Sequence, residues 1–352
     1  MVSTRATAQD RPTSQFHVIE DAGAGLQGVI AIDSLVLGPA AGGCRLWNYS
    51  STPEMHEDAM RPARGMTYKN AMAGLPFGGG KAVLRMPERP FSRKRLFEAF
   101  GRAVQRLQGQ YVTAGDVGTG VENMQATRRS TRFVAGLEQR DGRAGGDPSP
   151  WTARGVFRSM AVAAELVLGA ELPELRVAVQ GAGSVGSQLC PLLARAGARV
   201  LVSDVEPRRT ASLAQIKGIE VVSPEAIHTI DADVFAPCAL GGALTAATVS
   251  ELRARLVCGA ANNQVSGEGV LDQMVATGIT YVPDYVVNAG GIINVAAEYL
   301  GENQGRVEER IEAIAPRVKA ILSRAQRERR SPAIVADEMV AGMLLPQRSL
   351  AA

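Results

Sequence analysis

Residues 176–204 read RVAVQGAGSVGSQLCPLLARAGARVLVSD, and the reading of this stretch decides the fold. RVAVQ is the apolar run of a buried strand, GAGSVG follows at once and opens a helix to about Ala194, and RVLVSD is a second strand ending in an acid. A glycine-rich turn alone would mean little. Strand, fingerprint, helix, strand and terminal carboxylate in one unit predict a Rossmann-type dinucleotide fold. Gly181 permits the tight turn, Gly183 lets backbone approach a pyrophosphate at the helix N-terminus, and Gly186 lets helix press on strand. Asp204 is placed to accept hydrogen bonds from an adenosine ribose 2′-hydroxyl and to repel a 2′-phosphate. NAD is therefore favoured over NADP, although Arg208 and Arg209 just beyond could hold a phosphate. Pro191, inside the expected helix, should kink it.

Working towards the C-terminus, DADVFAPCALGG, RLVCGAANNQ and ITYVPDYVVNAGG continue the βα pattern, each strand ending in small or amide residues as a ligand crevice requires. Asn262 and Asn288 read as ligand contacts, and Asn263 reads equally as a turn former. Residues 295–327 read as helical, and 332–345 as a further amphipathic helix. Towards the N-terminus, the Gly-, Asp- and Pro-rich segment 141–150 reads as a junction. Before it, strands at 27–34, 81–86 and 110–118 alternate with helices at 53–72 and 94–107, which implies a second α/β domain. Residues 1–14 read as loose. The expected fold is α/β in two domains separated by a cleft: residues 1–136 for substrate and assembly, 137–331 for the dinucleotide, and 332–352 as a helical segment returning to the first domain.

In the first domain the informative stretch is MTYKNAMAGLPFGGGK, residues 66–81, with Lys69 and Lys81 at either end of a short apolar segment and three glycines before the second lysine. A phosphate-binding loop would need Ser or Thr after the lysine and a helix to follow. AVLRM follows instead and reads as a strand opened by Lys81, so Lys81 is expected to face a small substrate. NAD accepts a hydride, so the substrate must offer a C–H whose carbon can become C=O or C=N. Lys69 is a candidate charge for a substrate carboxylate. Lys81, if desolvated beside another cation, could serve as a base, and Asp116 supplies a carboxylate for a second proton transfer. Composition alone would make these solvated lysines and a turn aspartate; the glycines at 78–80 and around Asp116 favour a site.

At 352 residues the chain exceeds what one core usually serves. With 46% hydrophobic and 21% charged residues it belongs with soluble globular proteins, and its net charge of +3, from scattered basic residues, gives no reason to expect nucleic acid. Cys44, Cys190, Cys238 and Cys258 are far apart and only three histidines accompany them, so neither a metal site nor a disulfide framework is expected, and a reducing cytoplasm suits them. No apolar run has membrane-spanning length.

MTYKNAMAGLPFGGGK, TAGDVG, AVQGAGSVG, APCALGG, GAANNQ and PDYVVNAGGIINV, in that order, resemble the amino-acid dehydrogenases of glutamate, leucine, phenylalanine and valine, above all the leucine and phenylalanine branch. The resemblance covers roughly residues 29–345. It implies reversible oxidative deamination of an L-amino acid to the 2-oxo acid and ammonia with NAD, in a homo-oligomer. It makes Lys69 the carboxylate-binding lysine, Lys81 the lysine that activates water, and Asp116 the proton shuttle to the amino nitrogen. It places Thr152 and Asn262 at the nicotinamide end, and Asn288 near substrate and cofactor. Ser184, Val185, Cys238 and Ala239 fall within its cofactor-binding motifs, and Gly42 within its substrate-binding one. Ala41, Ala114, Ile292 and Val295 match side-chain pocket positions, all apolar, where a charged side chain would be left unpaired. Leucine-selective relatives tend to carry leucine at the position of Ala41 and alanine in place of Gly80, so both departures point to a broad hydrophobic specificity. Two other readings are a non-catalytic NAD-binding module and a shikimate-type hydroxy-acid dehydrogenase.

Overall fold

In the computed structural model, which describes residues 14–137 and 143–345, the chain forms two compact units, each with its own sheet. The expected loose start lies outside these residues except for Ser14, as do 138–142 and the last seven positions.

The first unit holds β1 (Gln15–Asp21), β2 (Leu26–Ser34), β3 (Ala40–Trp47), β4 (Gly78–Arg85) and β5 (Tyr111–Gly115), in the order β1-β2-β4-β3-β5. β1 and β2 form an antiparallel hairpin, β2 runs antiparallel to β4, and β3 is parallel to both β4 and β5. Side chains alternate along β2, so Val29 and Ala31 pack with Val83 against Ala59 and Ala63 of α1 (Thr52–Ala73). Ile30 and Ile32 pack on the other face, with Leu84, Phe97 and Phe100 of α2 (Arg93–Arg106) and Met124 of α3 (Val121–Arg128). A strand covered on both faces needs apolar residues at successive positions, which is why β2 has no polar side. Ser51 caps α1 through the Glu54 amide, and Gly74 ends it in the left-handed region.

β4 corrects one expectation, because the strand begins at Gly78 and Lys81 lies within it. A Cβ on Gly78 would stand 1.8 Å from the Ser34 carbonyl oxygen, on Gly79 2.2 Å from the Ala63 carbonyl oxygen, and on Gly80 2.8 Å from the Tyr111 ring. The glycines let β4 pass tightly between β2, β3 and the two helical layers. The glycine run is thus strand interior, and it buries the lysine that follows.

The second unit holds β6 (Arg176–Gln180), β7 (Arg199–Ser203), β8 (Ile219–Val221), β9 (Val234–Pro237), β10 (Leu256–Val257) and β11 (Thr280–Tyr281), all parallel, in the order β11-β10-β9-β6-β7-β8. The order reverses between β6 and β9. α4 (Ser149–Leu168) and α5 (Gly186–Arg195) belong to this unit. Pro191 sits inside α5, and nothing in the structure gives it a functional role. The helical stretch expected over 295–327 is present as three helices: Gly290–Leu300, Gln304–Glu312 and Ile314–Glu328. Gly301 adopts φ +70°, Asn303 caps the next helix through the Arg306 amide, and Pro316, which has no N–H to donate, falls in the first turn of the third.

The two units are not continuous in sequence. The first unit runs to Gly146 and takes in Glu298–Gly301, because the Glu298 carboxylate accepts the backbone N–H groups of Gly136 at 3.0 Å and Leu137 at 2.9 Å. The Pro332–Met343 helix, expected to return to the first domain, packs on Ile314–Glu328 and β11 within the second unit; the first unit resumes at Leu344.

Candidate active site

In the first unit, alternation and register put Ala41, Gly43 and Arg45 of β3, Gly79 and Lys81 of β4, and Val112 and Ala114 of β5 on the α1 face of the sheet. Asp116 follows β5 by one residue. Lys81, 6% exposed, donates from Nζ to Asp116 Oδ2. The Asp116 backbone N–H donates to Thr119 Oγ1 at 2.8 Å, and the Thr119 hydroxyl lies 2.9 Å from the Cys44 carbonyl, so the loop carrying Asp116 is tied to β3. A Cβ on Gly43 would come within 2.8 Å of the Asp116 Cβ; glycine there is what admits the carboxylate. Burial raises the Asp116 pKa, but the charges of Lys81 and Arg45 outweigh it and hold the group below the ordinary carboxylate range. Two apolar positions and a buried, charge-matched lysine–carboxylate pair thus share one surface.

Lys69 stands on α1, half-buried, between Thr67, whose hydroxyl donates to Asp33 at 2.6 Å, and Asn70, whose amide donates to the Gly78 carbonyl at 2.7 Å. The carbonyl of Gly42 accepts the Tyr111 hydroxyl at 2.8 Å, and a Cβ on Gly42 would stand 1.7 Å from the Gly80 carbonyl oxygen. Gly80 itself points away from Lys81, at the Tyr111 ring on the α2 face. Its identity therefore reflects packing under Tyr111 and not, as expected from the resemblance, the selectivity of the side-chain pocket.

In the second unit the fingerprint lies at the β6–β9 reversal, where a parallel sheet opens a crevice. Gly181 has φ +102°, and a Cβ there would meet the Ala239 amide at 2.8 Å. On Gly186 it would meet the Gly181 carbonyl at 2.0 Å, whereas on Gly183 it would meet nothing within 4 Å. The loop continues through Ser184 and Val185 into α5, with the Cys238 N–H donating to the Gln180 carbonyl at 2.7 Å beside it. Burial pushes the Cys238 thiol up to about 11, so it is a neutral wall of the crevice. Asp204 accepts the Ala182 N–H on Oδ2 and the Glu206 N–H on Oδ1, both at 2.8 Å, and pairs with Arg209 at 3.5 Å. Burial opposes its charge, but the two amides and Arg209 lower its pKa overall.

Asn288 is buried and donates to Asn262 Oδ1 at 2.9 Å and the Ala260 carbonyl at 3.0 Å, while its Oδ1 finds no partner among the described residues. An orphaned buried acceptor of this kind fits an amide or amino donor on a ligand. Asn263, at φ +52°, is the turn former. Thr152 stands at the start of α4, its Oγ1 2.9 Å from where a Gly291 Cβ would lie. Ile292 and Val295 are half-buried on the Gly290–Leu300 helix, in this unit. Clear space at Gly183, an acid beside the loop and an unpartnered amide oxygen together fit a bound dinucleotide.

Sequence reasoning missed Arg45, Asp58 and Tyr49. Arg45 Nε donates to Asp116 Oδ2 at 3.3 Å, its Nη1 reaches both Asp58 oxygens at 2.7 and 2.9 Å, and the Tyr49 hydroxyl donates to Asp58 Oδ2 at 2.5 Å. The available signal was an arginine inside an otherwise apolar glycine-rich strand, a placement that demands a buried partner.

A dinucleotide unit and a lysine–carboxylate site on one chain define a nicotinamide-dependent oxidoreductase of small molecules. Residues 12–133 match the family model "Glu/Leu/Phe/Val dehydrogenase, dimerisation domain", and residues 202–344 match "Glutamate/Leucine/Phenylalanine/Valine dehydrogenase". The leucine dehydrogenase of Geobacillus stearothermophilus is 43% identical over 92% of this chain and 89% of its own, and the valine dehydrogenase of Streptomyces virginiae is 43% identical over 92% of each. Among solved structures, L-tryptophan dehydrogenase from Nostoc punctiforme has a TM-score of 0.84 at 34% identity, covering 94% of this chain and 95% of that one. The chain belongs to the glutamate/leucine/phenylalanine/valine dehydrogenase family and is an amino-acid dehydrogenase, acting on a CH–NH2 group. These relatives favour neither the hydroxy-acid reading nor the non-catalytic one.

Proposed function

We propose that this protein catalyses the reversible, NAD-dependent oxidative deamination of hydrophobic L-amino acids, as a homo-oligomer. The observation that carries the reading is the Lys81–Asp116 pair on the same sheet face as Ala41 and Ala114. Lys69 holds the substrate carboxylate. Asp116, kept ionised by its cationic neighbours, takes a proton from the substrate ammonium group and leaves a neutral amine. The Gly181–Gly186 loop and Asp204 would hold NAD, which would supply the acceptor for the Cα hydride and so leave the substrate as an iminium. Lys81, as the ammonium, orients and polarises a water; Asp116, its first proton passed to solvent, takes a proton from that water as its oxygen bonds to Cα and gives it to nitrogen, and the C–N bond breaks as the carbinol O–H proton leaves, releasing ammonium and the 2-oxo acid. Overall, amino acid, NAD⁺ and water become 2-oxo acid, ammonium, NADH and one proton.

The apolar lining supports uncharged side chains, since a carboxylate there would be buried unpaired. Ala41, smaller than leucine, leaves room for phenylalanine or tryptophan; a methylene or two in such a pocket shifts preference by only about 1–3 kcal/mol, so several apolar substrates are expected. Asp204 supports NAD over NADP, and a match to a family model described as a dimerisation domain supports assembly. The test is NADH formation with a panel of apolar L-amino acids, NAD and NADP in parallel. Turnover of leucine or phenylalanine with NAD is expected. No turnover of any apolar amino acid would overturn the reading.

A further inference from the structure

Both cations beside Asp116 approach the same oxygen: Lys81 Nζ and Arg45 Nε each donate to Oδ2, so neither ion pair occupies Oδ1. Arg45 reaches Asp116 from the next strand and is itself fixed from the other end. Its Nη1 sits between the two oxygens of Asp58 on α1, and Asp58 is steadied by the Tyr49 hydroxyl. A guanidinium is planar and rigid, so fixing Nη1 also fixes the direction of Nε. A lysine could neutralise either carboxylate but could not hold both in a set geometry. Arg45 and Asp58 side chains are 26% and 18% exposed, which makes this a sheltered network.

We propose that Arg45 is a positioning residue for the deamination: it clamps Asp116 Oδ2 against Lys81 so that Oδ1 exchanges protons with the amino nitrogen, and Asp58 and Tyr49 hold Arg45 in place. This rests on the dehydrogenase reading above. Cys44, Tyr49 and Tyr111 also face Asp116, and all have pKa values raised by burial and are therefore neutral. Lys81 and Arg45 together hold Asp116 ionised, and loss of Arg45 takes away one of the charges that keep it so.

The experiment compares wild type, Arg45→Gln, Arg45→Lys, Asp58→Asn and Tyr49→Phe in pH profiles of kcat and kcat/KM with L-leucine or L-phenylalanine, together with NAD affinity and melting temperature. In Arg45→Gln, kcat is expected to fall roughly 10- to 100-fold, the effect of a slightly misplaced reacting group. KM and NAD affinity should hold, and the acid limb should move to higher pH. Arg45→Lys should keep the limb and still lose kcat, because it retains charge without the fork. Tyr49→Phe removes one hydrogen bond and no charge, so it folds if any variant does; a smaller kcat loss with unchanged KM supports the clamp. Wild-type kcat and an unmoved limb in Arg45→Gln, or a loss confined to KM, overturns the proposal while leaving the dehydrogenase reading intact. An inactive wild type overturns both.

Discussion

Lys81 donates to Asp116 across two strands whose order no local pattern gives, β4 and β5, with β3 between them. The pair is asymmetric: the Lys81 side chain is 7% exposed and has this carboxylate, whereas Asp116 is 24% exposed and also has Arg45. Removing Asp116 leaves a buried ammonium facing a guanidinium; removing Lys81 leaves a carboxylate still paired. Asp116→Ala should therefore lose about 3 kcal/mol of stability, and Lys81→Met clearly less, as measured by urea unfolding. Both should lower kcat by roughly 10²- to 10⁴-fold.

The same pair gives acid sensitivity a direction. The folded pKa of Asp116 is depressed, so its stabilising contribution is complete above the ordinary carboxylate range and is lost as pH falls through the depressed value. The stability gap between wild type and Asp116→Asn should narrow steadily as pH falls below that ordinary range. A gap that widens on acidification would contradict the assignment.

Two glycines of the fingerprint should behave oppositely. A Cβ at Gly183 meets no protein atom within 4 Å, so Gly183→Ala should melt like wild type yet lose NAD affinity by tenfold or more, on the order of 1.4 kcal/mol. A Cβ at Gly186 would lie 2.0 Å from the Gly181 carbonyl, so Gly186→Ala should lower the melting temperature as well as binding. Fluorescence titration with NADH, paired with thermal melts, separates the two.

Ala41 and Gly80 also separate. Ala41→Leu, on the Lys81 face, should shift kcat/KM away from phenylalanine and tryptophan towards smaller side chains by roughly 10- to 200-fold. Gly80→Ala, on the opposite face against Tyr111, should cost about 1–3 kcal/mol of stability by overpacking and leave the ratio of kcat/KM values unchanged.

The second unit was largely legible because its signal is local: strand, turn and helix in residues 176–204 are contiguous, and Gly186 packs on Gly181 within the motif itself. Lys81 and Asp116 were legible as residue types and as family positions. Their shared face was not, since it depends on the β4-β3-β5 pairing of strands distant in sequence. The strand is expected to open only at Lys81 because glycine is rare in strands, and only the approach of Ser34, Ala63 and Tyr111 shows why it needs Gly78, Gly79 and Gly80. Arg45 and Asp58 carry no motif, being joined only by the fold. The packing partner of the Pro332–Met343 helix was not legible for the same reason: its amphipathic pattern records that it packs, not against what.

The most direct test of the central claim is the joint yield of NADH and ammonia from an apolar L-amino acid with NAD, in wild type and in Lys81→Ala. Equimolar NADH and ammonia from wild type, with the rate lost in Lys81→Ala while NADH binding persists, is the predicted result. NADH without ammonia, or Lys81→Ala turning over at the wild-type rate, would contradict it.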